Sequence, residues 1–120
     1  MSHDYQEIFA SAARTATTSA TIATDACEGL FYINVTAVTS TPSVVFTIAG
    51  VSPNPGSPVY TILDSAAITG TGLTVLRVSP QLTAAANTIA KDMLPGALKI
   101  TATHADTDSI TYSVHFVGCC

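Results

Sequence analysis

Leu98 to Val117, LKITATHADTDSITYSVHFV, decides the fold because two runs of period two meet there at a polar turn. On the first arm Leu98, Ile100 and Ala102 alternate with Lys99, Thr101 and Thr103. On the second, Ile110, Tyr112, Val114 and Phe116 alternate with Thr111, Ser113 and His115. One face of each arm is core and the other meets water or a partner. The spacing predicts a β-hairpin closed by a three-residue turn at Asp106, Thr107 and Asp108.

The same alternation recurs upstream. Phe31, Ile33, Val35 and Ala37 share one face of a central strand. After Thr39-Ser40-Thr41-Pro42, Val44, Phe46 and Ile48 share a face of the next, so a second hairpin is expected. SPNPGSP (52–58) holds three prolines and a glycine and must be a surface loop. Residues 59–69 and 72–79 flank a Gly-Thr-Gly turn and form a third expected pair, with Tyr60, Ile62, Leu76 and Val78 as core and Arg77 outward. RTATTSATIATD (14–25) is too rich in β-branched threonine for helix and suggests a strand at a sheet edge.

Two segments depart from this pattern. PQLTAAANTIAKDMLP (80–95) sets Leu82, Ala85, Ala86, Ile89 and Met93 at helical spacing between two prolines. It predicts a short helix or compact loop, with Thr83 as an N-cap for the helix. Residues 1–13 form a polar lead-in in which Tyr5, Ile8 and Phe9 suit either a helical turn or an arm lying on a neighbouring subunit. The expectation is an all-β chain. A single β-sandwich or partly closed barrel of about seven antiparallel strands spans residues 14–120, with an N-terminal arm at 1–13 and one helix or loop cap.

Composition narrows the function. The 120 residues suffice for one core without staples. Charged residues make up only 10% of the chain against 48% hydrophobic, where an ordinary soluble domain carries about 25% charge. So neutral a surface points to a subunit covered by neighbours. A net charge of −4 with four basic residues leaves no stripe for phosphates, so no nucleic-acid partner is expected. No apolar run approaches the roughly 20 residues of a membrane span, and no membrane partner is expected. The lead-in has no apolar core of a secretory signal. Cys27, Cys119 and Cys120 are an odd set; reduced thiols are expected, with a bridge from Cys27 to the C-terminus or between subunits as the alternative.

Chemistry is sparse. His104 and His115 fall on opposite faces of the expected hairpin, too far apart to share a metal. Asp106 and Asp108 read as turn residues rather than calcium ligands. Asp64, in an apolar strand, reads as the mark of a strand edge or bulge. No nucleophile elbow, phosphate loop, CxxC or HExxH occurs. No enzyme, cofactor or metal is expected.

Several phrases carry a resemblance: SAART (11–15), VTAVTSTPSVVFTIAG (35–50), YTILDSAAITGTGLTVLRVSPQLTAAANTIAKDMLP (60–95) and HADTDSITYSV (104–114). Together they resemble a family of small structural proteins of tailed bacteriophages. The resemblance implies a virion component assembled in the host cytoplasm, first a decoration protein on the head, next a tail or minor capsid component. It would contact copies of itself and a major capsid or tail protein. The acidic lead-in and the Cys-Cys end depart from the family pattern. Tyr5, Ile8, Phe9 and Arg14 are the candidate assembly contacts. The alternative class is a β-sandwich adhesion or binding module, which would display a platform of exposed aromatic residues.

Overall fold

The computed structural model describes residues 3–120 and contains no helix among them. Nine strands follow in order: β1 His3–Arg14, β2 Thr18–Ala23, β3 Glu28–Val38, β4 Val44–Val51, β5 Val59–Asp64, β6 Gly72–Val78, β7 Ile89–Ala90, β8 Ala97–His104 and β9 Ile110–Cys119. They form two sheets, A in the order β1-β9-β3-β6-β7 and B in the order β2-β8-β4-β5. All pairings are antiparallel except the short β6–β7 contact. With the two-residue β7 set aside, two four-stranded sheets face each other in the strand order of a jelly roll.

The alternation read from the sequence holds, but the pairing expected from it does not. Phe31, Ile33, Val35, Val44, Phe46, Ile48, Leu98, Ile100, Ile110, Tyr112, Val114 and Phe116 are all buried. Yet β8 lies in sheet B and β9 in sheet A, and likewise β4 and β3, and β5 and β6. The three expected hairpins are therefore crossings between sheets. The single hairpin of adjacent long strands is β4–β5, closed by the proline loop, where Gly56 at φ 83° and Ser57 at φ 48° turn the chain and the Ser52 N–H donates to Pro58 O at 2.8 Å. A short polar loop can cross the roughly 10 Å between packed sheets as readily as it can fold back within one. Period two fixes the inward face and leaves the partner open.

Two crossings brace one another. The Thr39 N–H donates to Ser109 O at 2.9 Å and the Ala105 N–H to Ser43 O at 2.9 Å. Asp106 accepts the Asp108 N–H at 3.0 Å, and Asp108 accepts the Thr41 N–H at 3.2 Å. Both carboxylates thus serve the turns, as their residue type suggested.

Residues 80–95 are an irregular cap rather than a helix. Thr88 O accepts the Arg77 N–H and Ala90 O the Ser79 N–H, which draws the segment out along β6 as β7. Asn87 stands at φ 63°, outside helical space. Leu94 enters the core while Met93 is 68% exposed, so the helical stripe is not realised. Nor does the lead-in form a helical turn or an arm set apart from the sandwich to lie on a neighbouring subunit: of residues 1–13, those from His3 onward belong to β1, an edge strand paired with β9, and residues 1–2 lie outside the described residues. In β5 a register shift opposite Ile48 and Ala49 turns Leu63 inward. Ile62 is left half-buried and Tyr60, expected in the core, is 48% exposed.

The cysteines also depart from expectation. Cys27 and Cys120 form a disulfide with their Cα atoms 4.8 Å apart. The register explains it: Glu28 pairs with Cys119, so the residues just outside that pair lie opposite one another, and the Cys27 N–H donates to Cys119 O at 3.0 Å. Cys119 keeps a free thiol.

Candidate functional site

The outward rows of sheet A make the most distinctive surface. Across β1, β9, β3 and β6 the register sets Tyr5, Val117, Leu30 and Arg77 in one row, and Glu7, His115, Tyr32 and Val75 in the next. A third row carries Ser113, Asn34 and Leu73. Strand residues would ordinarily present polar groups here. Instead Tyr5 is 71% and Leu73 61% exposed, and Leu30, Tyr32, Val75 and Val117 are half-buried.

Val117, Leu30 and Arg77 of the first row and Tyr32 of the second floor a hollow of about 510 Å³, walled at one side by Gln81 and Leu82 from the cap and at the other by His3 and Tyr5. The His3 and Tyr5 rings lie 5.8 Å apart. Glu28 stands at the end of the hollow, where its carboxylate accepts the Ser79 hydroxyl at 2.6 Å and lies 3.8 Å from the Cys119 thiol. Glu7 and His115 approach to 3.3 Å, an ion pair when the imidazole is protonated. The floor is stiff because Gly29 and Gly118 pair across β3 and β9, and the Phe116 ring fills the space beneath them that a Cβ would occupy.

The four candidate contacts separate. Tyr5 projects onto this face. Ile8 is half-buried, and Phe9, only 6% exposed, packs edge-on against Tyr112 in the protein's own core. The register shifts on either side of Phe9 turn it inward. Arg14 folds back: its guanidinium lies 4.6 Å from the Tyr112 ring centre and donates to Tyr112 O at 2.9 Å and Ala10 O at 2.7 Å. Periodicity around β1 could not show this, because the bulges break it.

His104 and His115 lie in different sheets rather than on paired strands. His104 Nε2 is 3.1 Å from the Tyr112 hydroxyl, while its Nδ1 is buried without a partner. Burial lowers the His104 pKa from its usual 6.5, against an opposing pull from Asp106. Burial likewise pushes the Tyr112 hydroxyl up to about 12. Asp64 ends the edge strand β5, accepting the Thr47 hydroxyl at 2.5 Å. Hydrogen bonds from Thr24 and Gln6 hold the Asp4 carboxyl below its usual value. Among the described residues no three His, Cys, Asp or Glu side chains come together.

Compared with family models, curated proteins and solved structures, the chain gives no match. Its functional reading rests on its own residues, its surface and the phrases quoted above.

Proposed function

We propose that this chain is a structural subunit of a tailed-bacteriophage virion, a decoration protein bound to the head surface. The observation that carries the reading is the outer face of sheet A, an apolar and aromatic floor bordered by Arg77, Glu7 and His115, on a jelly roll whose chain is only 10% charged. Contiguous exposed apolar surface of this kind marks a protein contact. A major capsid protein supplies the broad, repeated surface such a face fits, and the resemblance of four phrases names the class of particle. The protein acts by binding and catalyses nothing. The Cys27–Cys120 disulfide suits a protein that ends outside the cell, since virion surfaces are among the places where disulfides persist.

A jelly roll does not by itself choose this function, because lectins and cupins share it. The adhesion-module reading gains from Tyr5 and Tyr32 on the same face, but all four phenylalanines and Tyr112 are buried, and the chain has no tryptophan. Electron microscopy of purified virions made with and without the protein tests the proposal. Regularly spaced surface density that disappears with the protein is the expected result. Virions identical in both preparations, with the protein absent from them, would contradict it.

A further inference from the structure

The four sheet edges are guarded unequally. β1 breaks its edge with two register shifts and carries Asp4, Glu7 and Arg14. β7 is two residues long, and β5 is overlaid by the cap, where the Asn87 side chain donates to Asp64 O at 3.1 Å. β2 has no such protection. Thr18–Ala23 pairs with β8 without a bulge, holds no proline, and lies in a run from Thr15 to Thr24 without a charge. An edge of that kind is a template for another strand.

The direction of its main-chain groups follows from two hydrogen bonds. The Thr24 N–H donates inward to Gly96 O at 3.0 Å, whereas Ala23 O is reached from outside by Gln6 Nε2 at 2.8 Å. Hydrogen-bonding direction alternates along a strand, so Ser19 and Thr21 point their N–H and C=O groups outward with Ala23. Ala23 is occupied by Gln6, and Ser19 and Thr21 are open.

We infer that β2 is a self-association edge, on which a second copy of this chain pairs its own β2 antiparallel about a twofold axis at Ala20. Ser19 then lies opposite Thr21 of the partner subunit, and two donors and two acceptors on each copy form four main-chain hydrogen bonds. Moving the axis to Thr21 would bring in Ala23, whose carbonyl is already taken. The contact is self-complementary, which a twofold interface requires. It joins the two B sheets into one and leaves the outer face of sheet A free. The inference deepens the structural-subunit reading by naming its copy-to-copy contact, and it is tested without particles, so the two fail separately.

The test uses the full chain with Cys119→Ser as background. Sedimentation should show a monomer–dimer equilibrium that Ser19→Lys/Thr21→Lys shifts to monomer with unchanged circular dichroism. Mild oxidation should cross-link Ala20→Cys, which meets itself on the axis, and not Ile22→Cys, which faces Thr18 of the partner subunit. In the unaltered chain, hydrogen exchange at the Ser19 and Thr21 amides should slow as protein concentration rises, a readout that survives if a cysteine variant misfolds. A monomer at every concentration, a dimer indifferent to the lysine pair, or equal cross-linking at Ile22→Cys overturns the inference.

Discussion

The outward faces of the two sheets are built on the same alternation and differ in what they carry. Sheet A offers Tyr5, Val117 and Leu30 beside Arg77, then Tyr32 and Val75 beside the Glu7–His115 pair. Sheet B offers Ser19, Thr101 and Thr47 in one row, ending at Asp64, with the Thr47 hydroxyl donating to that carboxylate. Hydroxyls are well solvated and lose little by staying in water, whereas apolar area gains roughly 25 cal/mol for each Å² removed from it. Sheet A is thus the face with most to gain from a partner. Sheet B can remain exposed, meeting a second copy only along its β2 edge.

Both faces depend on the shared core, and the largest effect is expected there. Val114 is fully buried on β9 between the two sheets. Val114→Asp strands a carboxylate in apolar surroundings at a cost of several kcal/mol, enough to unfold a domain whose whole stability is of order 5–15 kcal/mol. Loss of native circular dichroism is the measurement. Soluble, folded Val114→Asp protein would show that β9 does not face the core.

The second effect sharpens the contrast, because the disulfide staples the β3–β9 pair at the heart of sheet A. It closes a loop with a sequence separation of 93 residues, for which loss of denatured-state entropy corresponds to roughly 4–5 kcal/mol. Cys27→Ser should lower stability in denaturant titration by about 3–5 kcal/mol and leave hydrogen exchange across sheet B in its native pattern. An unchanged midpoint would mean that the bridge adds nothing.

Smaller effects come from ionisable groups. His104 has a folded pKa below its usual 6.5 because burial disfavours the imidazolium. The unfolded chain therefore takes up the proton first, and stability falls as pH drops below 6.5 toward the folded value. His104→Gln should flatten that part of the pH–stability curve. Asp4 works in the opposite chemical sense with the same slope: its folded pKa is depressed by Thr24 and Gln6, so its contribution is present above the usual 3.8 and fades below it. Asp4→Asn should match the parent at the acid end of a thermal titration and fall slightly below it at neutral pH.

What could be read from the sequence was which side of each strand faces inward. Phe46, Ile100, Tyr112 and Phe116 obey period two, and the edge character of β2 follows from its threonines. Partner choice was hidden, since the five-residue loops at 39–43 and 105–109 suit a crossing as well as a hairpin. Phe9 was misplaced because bulges shift parity where no glycine or proline signals it, and Tyr60, which pairs with Gly50 on the inward face of sheet B, is exposed because it stands at the start of β5 beside the proline loop. Of the helix and the compact loop that residues 80–95 allow, the loop is formed, because main-chain bonds to β6 outweigh a weak apolar stripe that Asn87 interrupts. The hollow of sheet A was invisible for the same reason as the pairing: Tyr5, Leu30, Tyr32 and Leu82 come together only once β1, β3 and the cap are placed.

Binding of purified protein to particles that lack it is the most direct test of the central claim. Three forms are compared: the unaltered chain, Tyr5→Asp/Leu73→Asp on the outer face of sheet A, and Thr61→Asp/Thr103→Asp on that of sheet B. All four positions are exposed, so each form should remain folded. The account predicts saturable binding of the unaltered chain and the sheet B variant at fixed copy number, and at least a tenfold weaker association, about 1.4 kcal/mol, for the sheet A variant. Equal binding of all three forms, or no binding of the unaltered chain, would contradict it.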